Sequence, residues 1–247
     1  MSDSLAATAG TLGTFRVGAV LGRSLSLLFA HIPFFVPLAL VPGIPTLFLP
    51  LDPARMPPSA ILTNSTVSLI VVFVLFPFVQ ATILHAAFQS MRGRPISFGE
   101  SFSVSLTRFL PILGALFCVG IVVLLGFILL IIPALILLTR YYVVVPACVV
   151  DQTGPFDSMR RSAELTQGYR WRIFGMILLV GIVNVVLGYI VGGIGMMAGG
   201  FMGATILRFL VNGVVLAYSA VLAAVAYHDL RVAKEGVDTD RIAAVFD

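Results

Sequence analysis

The chain has 247 residues, 59% hydrophobic and 11% charged, with a mean hydropathy of +1.08. Soluble domains carry roughly 25% charged residues, so a water-soluble fold of this size is excluded and lipid must cover the apolar surface. The net charge of +4 comes from 15 basic residues lying mostly between apolar runs, which assigns it to membrane topology rather than to nucleic acid.

Residues 1–13 are small and polar and lack the basic and apolar regions of a signal peptide. They are expected to form a flexible cytoplasmic tail before a membrane domain spanning 14–230. Phe15 to Ser24 reads as a short helix in the headgroup layer. A spanning helix needs about 20 apolar residues. The first candidate runs from Leu25 to Leu49 and is kinked by Pro33, Pro37, Pro42 and Pro45; the second covers Leu62 to Phe88.

Ser97-Phe98-Gly99-Glu100 then has the form of a capping box, and Phe98, Phe102, Leu106 and Phe109 follow as an apolar stripe. Phe109 to Val150 is too long for one span and divides into a hairpin turning between Gly126 and Pro133. A second surface helix starts at Pro155, with Phe156, Met159 and Ala163 on one face. Asp157, Arg160, Arg161 and Glu164 lie on the other, and Gly168 is the stop. The fifth and sixth spans cover Ile173 to Met197 and Ile206 to Tyr227, and 231–247 is read as a cytoplasmic tail.

The expected fold is therefore all-α: a polytopic integral membrane protein of about six transmembrane helices, arranged as three hairpins with short cytoplasmic interfacial helices. Twelve basic residues fall on one side of these spans, against Arg55 and Arg208 on the other. The positive-inside rule puts both termini in the cytoplasm of a bacterial inner membrane.

Polar groups inside the spans mark the candidate sites. Arg140, eleven residues before Asp151, would sit roughly 16 Å from the inner surface. A charge at that depth is a candidate for holding a lipid phosphate or another anion; alternatively it caps carbonyls opened by prolines or reaches water. Gln80, His85, Asn184 and Asn212 either line a polar pathway or cross-link helices, and cross-linking is the commoner role. Gly188 and Gly192, with Ala220 and Ala224, suit close antiparallel packing of helices five and six. Arg160, Arg161, Arg170, Trp171 and Arg172 form a basic patch suited to anionic headgroups, although topology alone also places arginines there. His31, His85 and His228 lack ligand spacing, and Cys118 and Cys148 lie in apolar runs, so neither metal nor cofactor is expected. No intramembrane carboxylate pair or nucleophile motif is present.

Two stretches, Arg140-Tyr-Tyr-Val-Val-Val-Pro146 through Asp151 to Gly175, and Tyr227-His-Asp229-Leu-Arg231 with Lys234-Glu-Gly236-Val-Asp238, resemble the bacterial glycerophosphoryl diester phosphodiesterase membrane domain family. The resemblance covers most of the chain and implies the membrane part alone, without the soluble catalytic barrel. The expectation is a non-enzymatic protein that binds anionic lipid, a membrane protein partner, or both. The rival reading is a small transporter or flippase with a midplane site around Arg140.

Overall fold

A computed structural model describes residues 15–47 and 58–235, all helices and connecting turns. Both tail expectations therefore fall largely outside the described residues, as do Arg55 and Arg241. The described residues 231–235 are not tail but the last turn of a long helix.

Helix α1 (Val17–Ala30) buries Val20, Ser24 and Leu28 on one stripe. It runs past the expected boundary at Ser24 because nothing in the sequence breaks it before Pro33. Pro33 removes a backbone donor and disfavours helical geometry before it. The chain accordingly turns at His31 into α2 (Ile32–Leu40), and the axis bends by 91°. A tight turn (Val41–Gly43) and the short α3 (Ile44–Leu47) follow. Next come α4 (Pro58–Ile70), a five-residue π turn (Val71–Leu75) and α5 (Phe76–Met91).

The surface helix α6 (Phe98–Thr107) starts as expected: the Ser97 hydroxyl accepts the Glu100 amide at 3.3 Å. The return half of the box is replaced, because the Ser97 amide donates to Gln89 Oε1 at 3.1 Å. Helix α7 (Phe109–Leu129) reverses at Leu130, whose extended backbone separates it from α8 (Ile131–Arg140). That is the hairpin turn expected between Gly126 and Pro133. A turn at 141–143 then leads into α9 (Val144–Val150) and α10 (Pro155–Thr166). Gly168, at φ +87°, closes α10 in the left-handed region.

The final element, α11 (Arg170–Glu235), is broken at Gly199 and Gly200, where Gly200 takes φ 61°. We refer to its first and second limbs. Among the described residues, four helical stretches are long and apolar enough to cross a membrane: Phe73–Met91, Phe109–Leu129, Ile131–Val150 and α11. The bent pair α1–α2 adds a fifth if counted as one span.

Burial divides the molecule into two levels. Residues 73–76 are exposed or half-buried, whereas 81–84 and 86–89 farther along α5 are buried. Along the second limb of α11, Phe201, Met202, Ile206 and Leu210 are exposed, and every residue from Ala220 to Tyr227 is buried. In α8 and α9 the exposed residues 130–132 give way to the buried 143–149. A helix apolar all round and buried all round is a central helix. Here its alanines let α1 and α5 approach closely. The exposed apolar level lies on helices long and apolar enough to cross a membrane, and in hydrocarbon such side chains need no protein partner.

Candidate functional site

At the packed end of the molecule, five side chains from three elements converge. Asp151 follows α9, Arg161 lies on α10, and Tyr227, Arg231 and Glu235 stand on successive turns of the second limb of α11. The Tyr227 hydroxyl donates to Asp151 Oδ2 at 2.5 Å, and Arg161 Nε donates to the same oxygen at 3.1 Å. Arg161 also bonds Glu235, which accepts from Arg231 Nε at 2.9 Å. A terminal nitrogen of Arg231 lies 3.7 Å from Asp151 Oδ1. Partial burial opposes the charge on Arg161, but the Glu235 carboxylate outweighs it and raises the guanidinium pKa above its ordinary value. Beside this knot, Arg23 of α1 is paired with Asp229. Each partner satisfies another's charge, so the knot joins α9, α10 and α11, and the neighbouring Arg23–Asp229 pair adds α1. Above it, Arg92, Asp151, Asp157, Arg160, Arg161 and Arg231 line an open groove of about 760 Å³.

Arg140 does not stand in the middle of an unbroken helix. It ends α8, its side chain is exposed, and its backbone carbonyl accepts hydrogen bonds from Ser162 (2.9 Å) and Thr166 (3.2 Å) of α10. The turn at 141–143 exposes this carbonyl, and two hydroxyls meet its need. The guanidinium lies 5.6 Å from the Tyr141 ring centroid and forms no ion pair among the described residues. It therefore does not cap carbonyls, which was one of the alternatives for it.

Because α10 ends at Thr166, four residues before Arg170, Arg140 is brought to the level where the first limb of α11 begins. Trp171 is 85% exposed. Arg172 donates to the Phe15 carbonyl at 2.6 Å and stacks 5.6 Å from the Tyr169 ring. Arg170 Nε is buried without a hydrogen-bond partner. We refer to these four residues together as the basic rim: Arg140 ends α8, and the other three open the first limb of α11. Of the six arginine and tryptophan candidates read from the sequence, Arg161 belongs instead to the knot and Arg160 pairs with Asp157 at 3.0 Å.

The surface helices present apolar side chains outward, as the faces of interfacial helices do. On α6 the serines Ser101 and Ser105 are buried, while Phe98, Phe102 and Leu106 are exposed. Ser101 donates to Gln89 and meets His85 Nδ1 at 3.2 Å, so His85 cross-links α5 to α6. Phe78 stacks on both Phe102 (5.1 Å) and Phe109 (6.0 Å). On α10 the buried face is Ser158, Ser162, Leu165 and Thr166, and Phe156 points outward. Hydroxyls bonded to local carbonyls pack against protein, and the aromatic face is left for the bilayer interface.

The remaining polar candidates are dispersed. Gln80 is half-buried on α5, and Asn184 and Asn212 are exposed on the two limbs of α11. Ala220 and Ala224 are fully buried, but a Cβ added to Gly188 would meet nothing within 4 Å. Limb-to-limb contact occurs closer to the break, where a Cβ on Gly195 would strike the Ala204 backbone. Among the described residues no cluster of metal-binding side chains occurs.

The sequence profile of a family described as a domain of unknown function (DUF7847) matches residues 97–230, from the cap of α6 to just before Arg231 of the knot. No curated protein and no solved structure matches the chain.

Proposed function

The chain belongs to the DUF7847 family, and from that premise we propose that it is a non-enzymatic membrane protein whose basic rim binds anionic lipid headgroups. The observation that carries this reading is the rim itself. Arg170 and Arg172 flank the exposed Trp171 in sequence, the Arg140 carbonyl is bonded to Thr166 just before them, and a buried guanidinium nitrogen of Arg170 has no partner. Basic residues near an anionic leaflet contribute about 1 kcal/mol each, and an indole at headgroup level is amphipathic in the required sense. The outward Phe98, Phe102 and Phe156 extend the same interface.

The proposed topology is six spans in three hairpins. The bent α1–α2 pair makes one span, the three shorter stretches make three, and the break at Gly199–Gly200 divides α11 into two. The basic end faces the cytoplasm of a bacterial inner membrane, with both termini on that side. The likeness to the glycerophosphoryl diester phosphodiesterase membrane domain suits this reading, because its two stretches supply the rim and the knot. A protein partner seated on the rim is a second outcome of the same surface chemistry.

Trp171 is the only tryptophan, so its fluorescence reports this site alone. In nanodiscs, brominated phosphatidylglycerol should quench it more strongly than brominated phosphatidylcholine at equal mole fraction. Replacing Arg140, Arg170 and Arg172 by Gln should abolish the difference. Equal quenching by both lipids in the wild-type protein rejects headgroup binding at the rim.

A further inference from the structure

The two limbs of α11 meet closely only beside their break. Gly195 faces the Ala204 backbone, and a Cβ on Gly192 would lie 2.5 Å from the Arg208 guanidinium. One turn farther along the first limb, Gly188 has nothing within 4 Å, and neither has Gly181. The limbs therefore diverge as a V. The helical repeat carries Gly188, Asn184 and Gly181 along the face that Gly192 begins, and Asn212 along the face that Arg208 begins. Leu178, Leu179 and residues 182–187 are all exposed, whereas Ile177 and Val180 still pack against the core, so the first limb leaves the bundle beyond Val180.

Three polar side chains stand on the walls of this V: Arg208 near its apex, with Asn184 and Asn212 farther out. Arg208 is eight residues past Gly200, roughly 12 Å along the limb from the turn. Neither limb carries an Asp or Glu between Ile173 and Ala226, and Arg208 forms no ion pair among the described residues. A lone guanidinium in hydrocarbon costs at least a few kcal/mol, and an unpaired amide is also costly. Water-directed extension of the side chain would relieve Arg208 but does nothing for Asn184, whose stem is too short. An occupant that satisfies all three must be anionic at one end and apolar along its length.

We propose that the V between the limbs of α11 is a second lipid site, in which Arg208 holds the phosphate of an anionic phospholipid. Asn184 and Asn212 donate amide hydrogen bonds to its glycerol and ester oxygens, and the exposed apolar side chains farther from the apex, Leu178, Leu179, Ile182 and Val183 on the first limb and Val214 on the second, hold its acyl chains. Charge complementarity selects this occupant: the site offers one cation and no anion. It lies at the opposite end of the spans from the basic rim and does not depend on lipid binding there.

The test is native mass spectrometry of the protein released from nanodiscs made of phosphatidylglycerol and phosphatidylcholine. Wild-type protein should retain phosphatidylglycerol selectively. Arg208→Gln should lower the most tightly held copy by about tenfold, equivalent to roughly 1.4 kcal/mol. The triple Gln variant of the rim should keep that copy. Gly192→Ala, which pushes the guanidinium aside, provides a second variant, and folding is checked by circular dichroism and gel filtration. Excess inorganic phosphate should not displace the bound lipid. Undiminished retention in folded Arg208→Gln or Gly192→Ala protein, or equal retention of phosphatidylcholine, overturns the proposal.

Discussion

Removing the Asp151 carboxylate should destabilise the protein more than any other single change at its charged end. The carboxylate accepts from the Tyr227 hydroxyl at 2.5 Å and from Arg161 Nε at 3.1 Å, and its side chain is 17% exposed. A hydrogen bond to a charged group contributes about 1.5–3 kcal/mol net. The Arg161 pair is discounted to about 1 kcal/mol because the guanidinium is 27% exposed. The Arg231 contact at 3.7 Å is too long to add a hydrogen bond. Asp151→Ala should therefore cost about 2.5–4 kcal/mol, below the upper range of about 5 kcal/mol for breaking a fully buried pair. Tyr227→Phe removes only the first bond and should cost about 1.5–2 kcal/mol. The two changes share a partner, so the double variant should fall short of their sum by about 1–2 kcal/mol. Equilibrium unfolding by SDS in mixed micelles measures all three values. A cost below about 1 kcal/mol for Asp151→Ala, or strict additivity with Tyr227→Phe, would refute the knot as the clamp between α9, α10 and α11.

Gly195→Val should cost about 1–3 kcal/mol by the same assay, because its Cβ meets the Ala204 backbone rather than a side chain that can move aside. Gly188→Val, with open space around it, should be close to neutral. Arg140→Gln should leave stability within about 0.5 kcal/mol, since the backbone carbonyl, not the exposed guanidinium, makes the contacts with α10. Arg161→Gln should lower it clearly, so equal effects at the two positions would contradict the separation of rim from knot. Ser97→Ala should lose about 1 kcal/mol of local stability at the start of α6, seen as faster amide exchange at Glu100 and Ser101 and little change in α10.

The helical membrane class follows directly from composition, and several local features are legible because a single residue type dictates each. Ser97 supplies an acceptor at a helix start, Gly168 admits a left-handed stop, and the Gly126–Pro133 stretch cannot continue a helix through Leu130. The outward facing of the apolar stripes accords with reading these segments as interfacial helices. In water the apolar stripe turns inward, but beside a bilayer Phe98 and Phe102 face outward and the hydroxyls of Ser101 and Ser105 pack inside, bonded to nearby acceptors. Counting residues back from Asp151 assumes a straight helix, whereas the turn at 141–143 separates α8 from α9. The knot depends on contacts such as Arg161 to Glu235, 74 residues apart, which no local pattern encodes. Its one signal in the sequence is the clustering of Tyr227, Asp229 and Arg231 within a single turn and a half. The divergence of the α11 limbs is equally hidden, since Gly188 and Gly192 look alike in sequence and only one of them is covered.

Lipid selectivity measured by electron spin resonance tests the central claim most directly. Spin-labelled phosphatidylglycerol and phosphatidylcholine are compared for the fraction immobilised by the protein at matched ionic strength. At about 1 kcal/mol per basic residue, the wild-type protein should favour phosphatidylglycerol by at least about fivefold, with the preference shrinking at high salt. The Arg140, Arg170 and Arg172 triple Gln variant should lose most of it while Arg161→Gln, wherever it remains folded, keeps it. A wild-type ratio near unity, or one unchanged in the triple variant, contradicts the assignment of the rim as a headgroup site.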